Sequence, residues 1–331
     1  MDEKIDQILS NYDFKVQQII RVRGALCLTT NQGIRLLKVN EASMQRVEFE
    51  HKVTQYLYTN GFQNVDCIVQ NKEGLLTTSD ATGESYLVKR WFLGEECKVR
   101  EKEDLVKAVA NLGRLHMVLN RQPDWEGVCG WKEENCSIQL ERHNQEMKRI
   151  YTYIRGKKRK TEFERCILRT FDIFYQKAEE GLFMVKDAAI WGADGVEKKI
   201  RQLRHGNYTY HNVLFTNREI ATLNFERAGC GLQLFDFYYF LRKVMEKNSW
   251  KPSLGERLLR EYTNYCVLDT CELNMIAFLL YYPEKYWKIL NHYYNSKKTW
   301  TSDKDMEKLE LVCEQERQKL AFLEEIFSLS I

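Results

Sequence analysis

Proline is the scarcest structural punctuation in this 331-residue chain, with only three occurrences. So few helix breakers favour long uninterrupted helices over a loop-rich fold. Long apolar runs are missing too: no stretch approaches the roughly 18 consecutive apolar residues of a spanning helix, so membrane insertion is not expected. A charge bias is also lacking, since 50 Lys and Arg face 47 Asp and Glu for a formal net charge of +3. That balance gives no ground for a nucleic-acid partner. None of the ten cysteines forms a C-x-x-C pair, and the closest two, Cys266 and Cys271, have no neighbouring histidine to complete a zinc site. Reduced, mostly buried thiols are the expectation. The opening Met1-Asp2-Glu3-Lys4-Ile5-Asp6 is acidic and has no apolar segment. Neither a signal peptide nor a transit peptide is expected, and the protein should start in the cytoplasm.

What is present is the balance of a soluble globular protein, 29% charged and 44% hydrophobic. Two basic clusters, 157–160 and 198–204, read as solvated faces, because neither is interleaved with the aromatics of a single-strand binding surface. The first ninety residues alternate short β-like runs with one helix. Arg21 to Thr30 and Ile34 to Val39 read as a hairpin around Asn31-Gln32-Gly33. A helix follows over Ser43 to Tyr58, stopped by Asn60-Gly61. Leu75 to Thr78 and Tyr86 to Phe92 are the next two strands. After Leu93-Gly94 the pattern turns helical, starting with Asp104 to Leu119, whose Leu105, Val109, Leu112, Leu115 and Leu119 make an apolar stripe. Further helices are expected over 137–154, 161–178, 233–246, 254–267, 273–281, 284–295 and 303–327. One β-pair, Val213 to Phe215 and Ile220 to Phe225, interrupts them.

The segment His205-Gly206-Asn207-Tyr208-Thr209-Tyr210-His211-Asn212 leads into that β-pair, which ends in Asn224-Phe225-Glu226. The pattern resembles the aminoglycoside-phosphotransferase and choline-kinase branch of the protein-kinase-like fold, whose catalytic loop reads H-G-D-x-x-x-x-N before a strand, a turn and a strand ending in a metal-binding Asp. A closer resemblance is to the CotS-like group of spore-coat proteins. It is carried by Tyr56 to Phe62, Tyr86 to Cys97, Leu112 to His116, His205 to Leu214 and Asp236 to Lys243, in order through most of the chain.

The resemblance implies a two-lobe α+β fold: a small antiparallel β-sheet N-lobe with one helix over 1–92, and a larger, mainly helical C-lobe over 93–331. The catalytic loop falls at 205–212 and the metal-site strand end at 224–226. It also implies site residues. Lys38 matches the strand lysine that contacts nucleotide phosphates, held by Glu50, with Glu48 as the alternative. Asn207 stands where the family has its catalytic Asp, and a neutral amide cannot serve as a general base. Asn224 stands where the family has the Asp that holds Mg²⁺, while Asn212 is retained. Where the family has a glycine-rich loop, only Gly24 lies between Arg21 and Leu28. Glu226 could serve as a substitute metal ligand or as a surface charge. His205 is expected to hold the loop, Asp236 to bind loop backbone or cap a helix, and His116 and His211 to be loop or helix-face residues. Aromatic clusters at 235–240, 281–282, 286–287 and 293–294 are expected mostly in packing, with exposed tyrosines suited to cross-linking or protein contacts in a coat layer.

The expected function is a kinase-like spore coat component or coat-assembly factor, a pseudokinase that requires no cofactor and has other spore coat proteins as partners. It would move from the mother-cell cytoplasm to the coat. The alternative is an active ATP- and Mg²⁺-dependent phosphotransferase for a small hydroxyl-bearing substrate.

Overall fold

The computed structural model describes residues 3–22, 24–121, 125, 135–187, 202–217, 219–295 and 303–329. The described chain divides into two compact units: Met1–Lys132 with Lys199–Tyr239 and Asn264–Cys266, and Glu133–Lys198 with Phe240–Thr263 and Val267–Ile331.

In the first unit, α1 (Glu3–Leu9) precedes three strands, β1 (Val16–Val22), β2 (Ala25–Thr30) and β3 (Gly33–Val39). Then come α2 (Met44–Thr59), β4 (Thr78–Ser79) and β5 (Ser85–Arg90), completing an antiparallel sheet of order β1-β2-β3-β5-β4. Register sorts the sheet into two faces. Leu26, Leu37 and Val88 lie in line on one face, and Leu36 with Lys89 and Lys38 with Leu87 lie on the other. On the first face, Ile8, Leu9, Tyr12 and Phe14 cover Leu28, Leu37 and Val88. On the second, Val47 of α2 packs with Leu87 and Ile68. α2 begins at Ser43, whose hydroxyl accepts from the Arg46 N–H at 3.4 Å, and stops at Asn60 with Gly61 at φ +90.

The strand expected over Arg21 to Thr30 takes in only Arg21 and Val22 of β1 before β2, and no helix is expected at α1. The chain turns at Gly24, φ +81, and β1 is a largely exposed edge strand without apolar alternation. α1 is seven residues, too short to show a helical period. The strand expected at Leu75 to Thr78 reduces to Thr78–Ser79.

After the linker at Leu93-Gly94 come β6 (Glu95–Glu96) and α3 (Lys102–Leu119). A Cβ on Gly94 would sit 2.5 Å from the Phe215 carbonyl oxygen, so only glycine permits this approach. β7 (Leu203–Arg204), β8 (Val213–Phe215), β9 (Ile220–Thr222) and β10 (Gly229–Cys230) form two small sheets, β6-β8-β9 and β10-β7.

The second unit is helical: α4 (Cys136–Gly156), α5 (Glu162–Asp187), the later part of α6 (Leu234–Lys247), α7 (Pro252–Thr263), α8 (Thr270–Tyr281), α9 (Glu284–Asn295) and α10 (Asp303–Phe327). α9 and α10 match their expected limits. α8 starts three residues earlier than expected because Asp269 and Glu272 form a capping box. Tyr281, Tyr282 and Tyr286 are buried in packing, as expected of their clusters, and Phe174 stacks on Tyr286 at 4.2 Å. Tyr294 is exposed.

The described cysteines form no disulfide. No helix among the described residues is long and apolar enough to cross a membrane. Of the basic cluster at 198–204, the first four residues lie outside the described residues.

Candidate active site

The loop 205–212 is held from below by one carboxylate. Asp236, buried near the start of α6, accepts from the His205 N–H at 2.6 Å and the Gly206 N–H at 2.9 Å. Of the two roles expected for it, loop-backbone acceptor or helix cap, this is the first. His116, on α3 as one of the two expected placements had it, is fully buried with Nε2 3.2 Å from Asp236. Burial works against the Asp236 charge, yet His116, Arg204 and His205 outweigh it and hold the carboxyl below its ordinary pKa.

Two further contacts shape the loop. Gly206 has φ +76, and a Cβ there would lie 2.0 Å from the Arg227 carbonyl oxygen. Tyr208 is buried against α3, its hydroxyl donating to the Ala108 carbonyl at 2.7 Å.

The His205 ring is also buried. Its Nδ1 accepts from the Asn207 N–H at 3.1 Å, so the proton is on Nε2, which donates to the Leu223 carbonyl at 3.0 Å. Burial pushes its pKa down to about 4, so the ring is neutral near pH 7. His205 is thereby a bridge between the loop and the end of β9. His211 is exposed, 2.7 Å from Glu96.

Three asparagines form a chain across the site. The Asn212 amide donates to the Asn207 carbonyl at 2.9 Å, and the Asn224 amide donates to Asn212 Oδ1 at 2.7 Å. Asn224 has left-handed backbone (φ 65, ψ 61), a conformation asparagine tolerates better than most residues. Its N–H donates to Asp66 Oδ2 at 3.0 Å.

Lys38 and Glu50 are not brought together. Glu50 is buried on α2, whereas Glu48 is exposed. Its partner is Lys89, whose Nζ lies 2.5 Å from Glu50 Oε1 and 3.3 Å from Asp66 Oδ2. Lys38 instead pairs with Glu226, which also lies 3.6 Å from Lys89. Burial works against the Lys89 charge, but Asp66, Glu50 and Glu226 overcome it and push its pKa up. Burial raises Glu50 to about 7, against the pull of Lys89, and raises Asp66 as well.

Lys89 and Asp66 were not singled out from the sequence. Asp66 carries a signal as a lone acid in Val65-Asp66-Cys67-Ile68, whereas Lys89, followed by Arg90 at the end of its strand, does not stand out.

Above these charges lies a cleft of about 580 Å³. Ala25, Cys27 and Leu36 line it from the sheet, Trp91, Phe92 and Leu93 from the linker, and Leu214 and Leu223 from the opposite side. Lys38, Glu50, Asn224 and Glu226 also line it. The cleft thus combines flat apolar walls with a cluster of charged and amide groups, a form suited to an amphipathic ligand. No group of three or more His, Cys, Asp or Glu among the described residues is arranged to hold a metal ion.

The profile of a family described as "Spore coat putative kinase YutH" matches residues 5–326. No curated protein matches the sequence. Among solved structures, an aminoglycoside phosphotransferase from Alicyclobacillus acidocaldarius superposes with a TM-score of 0.85 at 17% identity, over 98% of this chain and 95% of that one. A spectinomycin phosphotransferase solved with ADP and spectinomycin gives 0.69 at 13% identity, over 97% of each chain. A microcompartment-associated aminopropanol kinase gives 0.62 at 15%, over 98% and 99%. At these identities the likeness establishes the protein-kinase-like α+β fold.

Proposed function

The chain belongs to this spore coat family of kinase-like proteins, and from that premise we propose that it is a coat component or coat-assembly factor in which the phosphotransferase site has been disabled. Its partners are other coat proteins, and it passes from the mother-cell cytoplasm to the coat.

The observation that carries this reading is the bond from Asn224 to Asn212. Mg²⁺ prefers anionic oxygen ligands, yet the two aligned side chains are neutral amides, and the oxygen of one is already accepting from the other. The carboxylates around them are engaged: Asp66 accepts from the Asn224 N–H and lies 3.3 Å from Lys89, and Glu226 is held by Lys38 and faces Lys89. The residues present do not fit a Mg²⁺ clamp. Asn207 likewise offers no carboxylate to take a proton from a substrate hydroxyl, a loss that costs about 10²–10⁴-fold in rate.

The second reading is an ATP-dependent phosphotransferase for a small hydroxyl-bearing substrate. It is favoured by the cleft, which keeps apolar walls for a base and Lys38 beside them. Calorimetric titration with ATP, with and without Mg²⁺, separates the two. The wild type should bind nothing, while the double variant Asn207→Asp/Asn224→Asp binds Mg-ATP. Micromolar Mg-ATP binding by the wild type, with turnover abolished by Lys38→Ala, would establish the enzyme instead.

A further inference from the structure

A second cavity, of about 140 Å³, lies wholly within the helical unit. Its inner wall is apolar and aromatic: Phe174, Trp250, Leu280 and Tyr286 are all buried. Leu311, exposed at 45%, marks its mouth. A cavity of roughly 150 Å³ with such walls takes one benzene ring. The wall is built at a conformational cost, since Ser249 and Trp250 both have left-handed backbone, φ 52 and 53. A bulky residue rarely adopts that conformation, and such residues gather at ligand clamps.

The charges around the cavity do not cancel. Its carboxylates are already engaged: Glu246 by Arg242 at 2.5 Å, Glu284 by Lys288 at 3.0 Å and Glu316 by Lys177 at 2.6 Å. Lys285 and Lys247 line the same cavity and make no ion pair among the described residues. Lys285 is half-buried. Burial pushes its pKa down, Glu246 offsets part of that, and Arg242, Lys247 and Lys288 add to the depression. An ammonium left in a partly dry, cationic setting favours an incoming anion.

We propose that this cavity is a binding site for a small aromatic monocarboxylate, its ring against the Phe174, Trp250 and Tyr286 wall and its carboxylate on Lys285. One half-buried ammonium beside one exposed lysine matches a single negative charge. Arg242 Nη1 already donates to Glu246 and Lys319 Nζ to the Tyr281 carbonyl, which leaves Lys285 for the ligand. The site shares no lining residue with the cleft over Lys38 and does not depend on whether that cleft binds nucleotide.

The test is calorimetric titration of the full chain with phenylacetate and, as the neutral isostere, phenylacetamide. Phenylacetate should bind with 1:1 stoichiometry at least about tenfold more tightly than the amide. Lys285→Met, and independently Lys285→Gln, should bring the acid down to the affinity of the amide. Leu311→Trp at the mouth should weaken both ligands. Unfolding curves of the variants, superimposable on the wild type, establish that the fold is retained. Equal affinity for acid and amide would overturn the proposal. So would binding indifferent to both Lys285 variants and to Leu311→Trp, or the absence of saturable binding.

Discussion

Lys89 and Glu50 make the buried ion pair of the sheet, 2.5 Å apart and both nearly inaccessible to solvent, while Lys38, two positions from the Lys89 register partner Leu36, reaches Glu226 instead. One lysine is sealed under the sheet and the other remains at the cleft.

The first prediction tests that division. Lys89→Met leaves Glu50 and Asp66 buried without their cation and should destabilise the protein by about 3–5 kcal/mol. Lys38→Met, at a partly exposed pair, should cost less than about 1 kcal/mol. Adding Glu50→Gln and Asp66→Asn to Lys89→Met should recover most of the loss. Urea unfolding of the four proteins measures this, and equal effects of the two lysine changes would refute the assignment.

The second concerns the amide pair. Asn224→Asp removes the donor to Asn212 Oδ1 and sets a carboxylate against an acceptor, costing about 1–3 kcal/mol in metal-free buffer. Added Mg²⁺ should raise the melting temperature of the variant and leave the wild type unmoved. A wild-type rise of the same size would contradict the reading of these asparagines.

A third prediction follows from Gly206. Alanine there combines a positive φ with a Cβ 2.0 Å from a carbonyl oxygen, so Gly206→Ala should destabilise by at least about 2 kcal/mol. Gly24→Ala, with open space around its Cβ, should cost clearly less. Thermal unfolding of both variants decides it.

His205 supplies a pH dependence. The unfolded imidazole takes a proton below about pH 6.5, whereas the buried ring resists until about 4. Its contribution is complete above pH 6.5 and is lost as pH falls to 4, by roughly 3 kcal/mol in all. His205→Gln should show a shallower loss of urea midpoint between pH 7 and 4.5. Parallel curves for the two proteins would count against a buried neutral ring.

Much of this architecture was legible in local pattern. The helical segments expected at 284–295 and 303–327 coincide with α9 and α10, and the Asn60-Gly61 signal stopped α2 where the helix does end. The spacing from His205 to Asn224 located the loop and its β-pair. What escaped depended on partners distant in sequence. The edge strand β1 takes its identity from pairing with β2 and carries little apolar pattern of its own. Glu50 could be named, but which lysine it takes is decided by β5 lying beside β3, a matter of register. Lys89 was hard to see because its strand is covered on both faces, α1 residues against Val88 and α2 against Leu87, so the usual alternation of inward and outward residues is erased there.

The asparagine chain bears on how the protein meets its surroundings. Two facing carboxylates in a cleft repel until a counter-ion arrives, so a site built that way is tied in stability to its ligand supply. Asn224 and Asn212 are uncharged and joined by one amide hydrogen bond; if the site is disabled as proposed, chelator and salt alike should leave the loop unchanged.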